Sequence, residues 1–406
     1  MAPSLDDKTR AIITACVPAL EAHGVDITRE MYSRLLADPA ISALFNRSHQ
    51  QNGSQPTALA LAVLAYARNI NNLGALTGMI ERIAEKHVGL NILPEHYPHV
   101  GTALLGAIEH VLGDAATPDI MQAWANGYQF LADVLINREK QLYDQTASAP
   151  GGWAGWRPFV IRSRVQESPR VLSLYLEPKD GQPVLQHKPG QYLSFNITVP
   201  GLGTQRRNYS ISSAPSERGY RISVSRAPEG LVSNWLHDHA PEGTELLVSA
   251  PAGSFTLGTP APASTVLLSA GVGLTPFLSM LEAAASSPHG ALHYIHGTHN
   301  AETEAFGPRL HALAAQGVVK ADVFYTHASP ANTAEASSAV QVHEGRITPE
   351  WVKANTAEDA VYYICGPEAF MLGMIDGLKA AGVPENRIRH EVFGPATTVE
   401  DTLHAA

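Results

Sequence analysis

The sequence predicts a multidomain chain of three parts: an all-α domain, then an antiparallel β-barrel, then an α/β domain built on a parallel sheet. Three observations carry this. The 406 residues exceed what one hydrophobic core usually supports. Apolar spacing changes from helical to alternating at about residue 159. After about residue 262, short buried-strand runs alternate with helical stretches, the pattern of parallel βαβ units.

Residues 1–146 place apolar side chains at intervals of three and four, with few β-branched runs, and read as helices throughout. In this part Ile80, Ile83 and Ala84 lead to His87, putting the histidine on an inward face at the end of a helical run. Among 18 histidines, such a residue is more often a satisfied core histidine than a metal ligand. A linker is expected over residues 147–156, where Ala147-Ser148-Ala149-Pro150-Gly151-Gly152 favours turns.

Residues 157–261 form the second part. Segments such as Val171-Leu172-Ser173-Leu174-Tyr175-Leu176 and Tyr220-Arg221-Ile222-Ser223-Val224 alternate between Pro/Gly turns, a barrel or sandwich signature. Arg207-Asn208-Tyr209-Ser210 combines a planar fork suited to pyrophosphate with a ring that can pack on a flavin and a hydroxyl that can donate to a ring nitrogen. Alone, these four residues fit an ordinary strand with a surface arginine equally well.

Residues 262–406 form the third part. Strand Val266 to Ala270 leads into Gly271-Val272-Gly273-Leu274-Thr275-Pro276 and a helix expected to begin near Phe277. The glycines allow the backbone to approach a phosphate, Thr275 can cap the helix, and Pro276 suits its first turn. A helix N-terminus there favours an anion. The third glycine of the usual dinucleotide fingerprint is missing, so a plain strand-to-helix turn stays open. Cys365-Gly366-Pro367 follows strand Val361 to Ile364, and Cys365 reads equally as a small buried apolar residue. After strand Leu292 to Ile295 come Glu302 and Glu304 but no arginine before Arg309, which favours NADH over NADPH.

Composition narrows the function. Hydrophobic residues make up 45% and charged residues 16%, ordinary for a globular chain. A formal net charge of -10 without basic clusters points away from nucleic acid and anionic membranes and toward small ligands. Only Cys16 and Cys365 are present, which argues against a disulfide framework and against an all-cysteine iron–sulfur cluster. Cys-x-x-Cys-His is absent, so any haem is held non-covalently. An acidic N-terminus without an apolar core, and no run of 18 apolar residues, predict a cytoplasmic protein without stable membrane insertion. No motif points to an obligate protein partner.

From about residue 155 onward the chain resembles the ferredoxin-reductase family of flavoproteins, whose Arg-x-Tyr-Ser cradles FAD. Pro189-Gly190-Gln191-Tyr192 is similar to the strand before that motif, and Gly230-Leu231-Val232-Ser233 to the turn that approaches the FAD phosphates. The resemblance implies FAD contacts at Tyr192, Arg207, Asn208, Tyr209, Ser210, Gly230, Val232, Ser233, Glu391 and Phe393. It implies nicotinamide contacts at Gly271, Val272, Gly273, Leu274, Thr275, Pro276, Cys365, Gly366 and Pro367. Glu391-Val392-Phe393-Gly394-Pro395 is similar to the terminal segment whose aromatic ring covers the flavin until nicotinamide displaces it, which adds Phe393, Gly394 and Pro395.

The helical part resembles the globin domain of flavohaemoglobins over nearly its whole length. By that resemblance His87 binds the iron of haem b, Phe45 packs on the haem, Tyr32 and Gln55 are distal, and Leu59 lies one turn further. Lys86 is implied as a haem contact and, with Glu391, as a polar contact between haem and flavin. Tyr97 and Glu139 are implied on the proximal side, where a carboxylate pushes electron density toward the metal. Each has a plainer reading: Tyr32 as a core residue, Gln55 in a first turn, Glu139 as a surface residue paired with Arg138 or Lys140. The departures are Asn208 and Leu274 where bacterial relatives carry glutamine, and Val392 where cysteine is common. The implied reaction is nitric oxide dioxygenation, with NO and O2 converted to nitrate at a haem re-reduced by NADH through FAD. Alternatives are a reductase acting mainly on flavins, quinones, ferric iron or peroxides, and a haem-based gas sensor or oxygen carrier.

Overall fold

The structure, a computed structural model, describes residues 5–38, 41, 54–258, 261–287, 290–327 and 339–393, without the side chains of residues 54, 55, 56 and 58. The chain divides into two compact units, one comprising residues 1–149 with 200–206, the other residues 150–199 with 207–393.

The first unit is helical. Its helices are α1 (Asp7–Ala15), α2 (Val17–Ala37), α3 (Ser54–Arg68), α4 (Thr77–Gly89), α5 (Tyr97–Leu112) and α6 (Pro118–Ser148). Local chemistry sets several of their ends. Asp6 caps α1 by accepting the Thr9 amide at 2.7 Å. Thr117 caps α6 through the Ile120 amide, with Pro118 in the first turn. At 31 residues α6 runs about 46 Å. The core gathers Ile13, Ile27, Met31, Leu35, Ile108 and Trp124, and a second cluster at Ala84, Tyr97, Ala132 and Leu135 surrounds the inward face of α4.

The second unit holds two six-stranded sheets. The first is antiparallel in the order β4-β3-β6-β1-β2-β5. Its strands are β1 (Arg157–Ser168), β2 (Val171–Pro178), β3 (Tyr192–Val199), β4 (Gly203–Ser210, of which residues 203–206 count with the first unit), β5 (Tyr220–Ser225) and β6 (Glu245–Val248), with helix α7 (Leu231–His239) between β5 and β6. A single bridge from Ile211 to Ile222 brings the exit of β4 against β5, the opposite edge, so the sheet curls on itself around Phe159, Leu174, Phe195 and Val248. This bridge brings one end of the two edges together, in the manner of a partly open barrel.

The second sheet is parallel, in the order β10-β9-β8-β7-β11-β12. It comprises β7 (Ser264–Ala270), β8 (Ala291–Thr298), β9 (Lys320–Tyr325), β10 (Val340–Glu344), β11 (Val361–Cys365) and β12 (Ile388–Glu391), joined with helices α8 (Thr275–Ala284), α9 (Gly307–Ala315), α10 (Pro349–Asn355) and α11 (Glu368–Ala380). Strand order reverses between β7 and β11, which makes a crevice at their carboxyl ends. Among the described residues no single helix is long and apolar enough to cross a membrane.

Candidate functional site

The helical unit builds its site around the end of α4. Asn91 takes a left-handed φ of 54°, and the amides of Leu90, Asn91 and Ile92 close onto the carbonyls of Lys86, Val88 and His87, which terminates the helix at Gly89, just past the histidine. After a 3-10 turn at Pro94–His96 the chain enters α5 at Tyr97. The backbone carbonyl of Tyr97 accepts the Tyr128 hydroxyl at 2.6 Å. These elements deliver His87, Tyr97 and Glu139 to one spot.

Glu139 is 2% exposed although it lies on a helix with charged neighbours. Those neighbours are engaged elsewhere, Arg138 with Glu81 and Lys140 with Asp144. The Glu139 Oε1 oxygen lies 2.7 Å from His87 Nδ1 and accepts the Tyr97 hydroxyl at 2.5 Å. Tyr97 Oη also lies 3.1 Å from His87 Nδ1. Burial and then the carboxylate push the Tyr97 hydroxyl above its ordinary range, so it stays a donor. With Tyr97 donating to Glu139, the proton of His87 sits on Nδ1 and Glu139 accepts it. The described residues give Nε2 no hydrogen bond, and its lone pair suits an axial metal ligand, as a haem iron requires. Lys86 is exposed on a different face of α4.

On the remaining positions, Tyr32 is half-buried on α2 against the core, and burial pushes its hydroxyl up to about 12, which keeps it protonated at neutral pH. Leu59 of α3 packs on the same core. Gln55 belongs to α3, but its side chain lies outside the described residues, as does Phe45.

In the second unit, Tyr192 pairs with Ala252 through both backbone bonds, and Gly253 leaves room for its ring, since a Cβ there would come within 2.8 Å of it. Arg207, Asn208, Tyr209 and Ser210 occupy the last half of β4. Tyr209 packs edge-on to Phe195 with centroids 5.6 Å apart, and burial raises its hydroxyl. Asn208 Oδ1 accepts the Ser194 hydroxyl at 2.7 Å. Desolvation lowers the Arg207 guanidinium, the mark of a cation held in a confined place where a pyrophosphate is a fitting partner. Gly230 precedes α7, and a Cβ there would meet Ser233 Oγ at 2.2 Å. Val232 points its side chain into the core, which leaves its backbone for a ligand.

The residues expected at the nicotinamide lie on the loops that follow β7 and β11. Gly271 has a φ of 53° with open space where a Cβ would stand. Gly273 also meets a packing demand. A Cβ there would lie 2.2 Å from the Cys365 carbonyl oxygen, so this glycine lets the β7 loop interlock with the β11 loop. Two local expectations are corrected. Residues 271–274 form a 3-10 turn, and α8 begins at Thr275 rather than near Phe277. Thr275 is therefore the first helical residue rather than the cap, and its hydroxyl donates to the Val272 carbonyl at 3.1 Å. Leu274 and Pro276 are buried beneath the turn. Cys365 is wholly buried in the core, with burial and Glu391 raising its thiol, so only its backbone can reach a ligand. Glu391 pairs with Cys365 in the register of β12, and Phe393 is 44% exposed just beyond it. Gly394 and Pro395 lie outside the described residues.

Sequence reading missed a set of buried polar residues behind these loops: His187, Arg221, Ser279 and Glu282. The available signal was a charge inside apolar runs, Arg221 in Tyr220–Ser225 and Glu282 in Thr275–Ala284.

Three families match successive parts of the chain: Globin over residues 29–135, Oxidoreductase FAD-binding domain over 158–257 and Oxidoreductase NAD-binding domain over 267–375. The chain is similar to a flavohemoprotein of Xylella fastidiosa, 46% identical over 97% of this chain and 98% of the relative. It is similar to the crystal structure of flavohemoglobin from Malassezia yamatoensis with bound FAD and heme, at a TM-score of 0.84 and 30% identity over 97% of this chain and 100% of that one. The FAD/NAD-binding domain of nitric oxide dioxygenase from Vibrio cholerae aligns with 59% of this chain and 99% of its own length, at a TM-score of 0.52 and 35% identity. With one helical unit carrying a His–Glu–Tyr constellation around a buried Glu139 and one unit carrying FAD- and NAD-type oxidoreductase folds, matched over 97% of its length by such relatives, the chain belongs to the flavohemoprotein family.

Proposed function

We propose that this chain is a nitric oxide dioxygenase that converts NO and O2 to nitrate using electrons from NADH. The observation that carries the reading is the contact of the buried Glu139 with both His87 and Tyr97, on the same chain as the two oxidoreductase folds. Oxygen storage does not call for so strong a donor behind the metal ligand; activation of bound oxygen does. The Malassezia yamatoensis flavohemoglobin with FAD and heme bound, and the Vibrio cholerae nitric oxide dioxygenase domain, support it.

When bound, haem b supplies the iron at which the two gases react, and FAD links a two-electron donor to a one-electron acceptor. The chain does the rest. His87 offers Nε2 to the metal, while Glu139 holds its Nδ1 proton and Tyr97 braces Glu139. Tyr32, kept protonated by burial, donates on the distal side together with Gln55, and Phe45, Leu59 and Lys86 complete the haem contacts. Arg207 to Ser210, Tyr192 and the turn at Gly230 to Ser233 hold the flavin, with Phe393 over it and Glu391 beside it. The loops Gly271 to Pro276 and Cys365 to Pro367, joined by Gly394 and Pro395, hold the nicotinamide coenzyme. The corresponding division is residues 1–146, a linker at 147–156, and then 157–261 and 262–406 for the flavin and nicotinamide parts.

An air-free absorption spectrum before and after NADH tests the path. A Soret band with a flavin shoulder, converting to ferrous haem on NADH alone and followed by NO-dependent NADH consumption, is expected. Flavin bleaching without haem reduction refutes the dioxygenase reading.

A further inference from the structure

Three consecutive residues that follow the flavin motif are each held from outside. The Ser212 carbonyl accepts from Arg221, the Ser213 carbonyl lies 3.1 Å from His187 Nε2, and the Ala214 amide donates to Glu282 Oε2 at 3.2 Å. The other ends of these contacts converge on α8, the helix that starts at the nicotinamide loop. Ser279 Oγ lies 2.9 Å from His187 Nε2, and Glu282 Oε1 accepts from Arg221 at 3.0 Å and from Arg309 at 3.2 Å. Ser279 and Glu282 stand three apart on one helix face. Four of these residues are buried, the Arg221 and Glu282 side chains 9% and 7% exposed, His187 3% and Ser279 0%, while the Arg309 side chain is 49% exposed. Phe306 closes the assembly from the nicotinamide side, with the Arg221 guanidinium 5.0 Å from its ring centroid.

A buried ion pair is a poor way to add stability, since apolar residues of the same volume do as well or better. What it adds is geometry, because an apolar surface tolerates sliding and a shared carboxylate with fixed donors does not. We propose that His187, Arg221, Ser279 and Glu282 are positioning residues that hold residues 212–214 in register with α8 and so set the approach of nicotinamide to flavin. This rests on the reading that Arg207 to Ser210 hold FAD and that the loop at Gly271 to Pro276 holds the coenzyme. Hydride transfer needs near-contact alignment, and a misplacement of 1 Å costs about a hundredfold.

The test uses the full chain loaded with FAD and haem, as parent, Glu282→Gln and the milder Ser279→Ala. Two quantities are read: flavin reduction at saturating NADH by anaerobic stopped flow, and hydrogen exchange of the Ala214 amide. Glu282→Gln is expected to slow flavin reduction about tenfold, keep the FAD content and the half-saturating NADH within about twofold, preserve the isotope effect with 4-deuterated NADH, and speed Ala214 exchange. Ser279→Ala is expected to slow reduction about threefold, and it decides the matter where Glu282→Gln does not fold. Faster amide exchange with unchanged flavin reduction leaves a merely structural seam and overturns the proposal, as does slowing that tracks loss of FAD. Flavin reduction of the parent checks the cofactor reading separately. If NADH does not reduce it, that reading and the positioning role fall together, while Ala214 protection still reports the contact itself.

Discussion

Replacing Glu139 with glutamine keeps the shape of the proximal site and removes its charge. In the parent, Oε1 takes the Nδ1 proton of His87 at 2.7 Å and the hydroxyl of Tyr97 at 2.5 Å. Hydrogen bonds to a charged group contribute about 1.5–3 kcal/mol against about 0.5–1.5 for neutral ones, so the change weakens each bond by about 1 kcal/mol. Relief of the cost of burying a carboxylate offsets part of this, leaving a net loss of about 1–2 kcal/mol. For a helical unit of this size that lowers the melting temperature by about 2–8 °C. The same loss makes the imidazole a weaker donor to iron, and the iron–histidine stretching band of the ferrous protein is expected at lower frequency. Tyr97→Phe, which keeps the carboxylate and removes one donor, is expected to shift that band less. A band unmoved in Glu139→Gln, or moved equally by both variants, refutes the argument that the carboxylate drives proximal donation.

Acid weakens the second unit through two buried histidines, His187 and His296, both held down to about 4 by burial. Because both folded values lie below the unfolded value of about 6.5, the unfolded chain binds more protons between these limits, and stability is complete above about pH 6.5 and falls toward pH 4, by on the order of 3 kcal/mol per histidine. Melts followed by flavin fluorescence check this, and a flat profile over that window, or one that His187→Gln leaves unchanged, contradicts it. Gly273→Ala drives a Cβ against the Cys365 carbonyl and is expected to abolish NADH-dependent flavin reduction while FAD stays bound; a variant with parental reduction rates shows that the two loops need not interlock. Tyr32→Phe is expected to keep haem and FAD and to release oxygen faster, by roughly tenfold for one lost hydrogen bond of about 1 kcal/mol or somewhat more, measured by stopped flow. An unchanged dissociation rate removes Tyr32 from the distal role.

Much of the architecture was legible because it is periodic. The helices to residue 146, the alternating strands and the βαβ units each declare themselves by spacing. The strand-to-helix turn after β7 was legible, yet the detail went astray at Thr275, because a 3-10 turn took the place where a cap was expected. Glu139 shows the limit differently. Spacing placed it on a helix beside Arg138 and Lys140 and could not say that Arg138 turns to Glu81 and Lys140 to Asp144. Its burial depends on Tyr97 and His87, which are brought to it by the left-handed stop at Asn91. The contacts among His187, Ser213, Arg221 and Glu282 link positions with no shared motif or period, and only the tertiary fold reveals them.

Arg309 is the first arginine after β8, the strand whose exit in dinucleotide folds meets the ribose, and here its guanidinium is committed to Glu282. A coenzyme with an extra ribose phosphate would therefore compete with a carboxylate that the flavin side of the molecule also uses. Any change at Arg309 is thus felt by Glu282, which accepts from Arg221 as well.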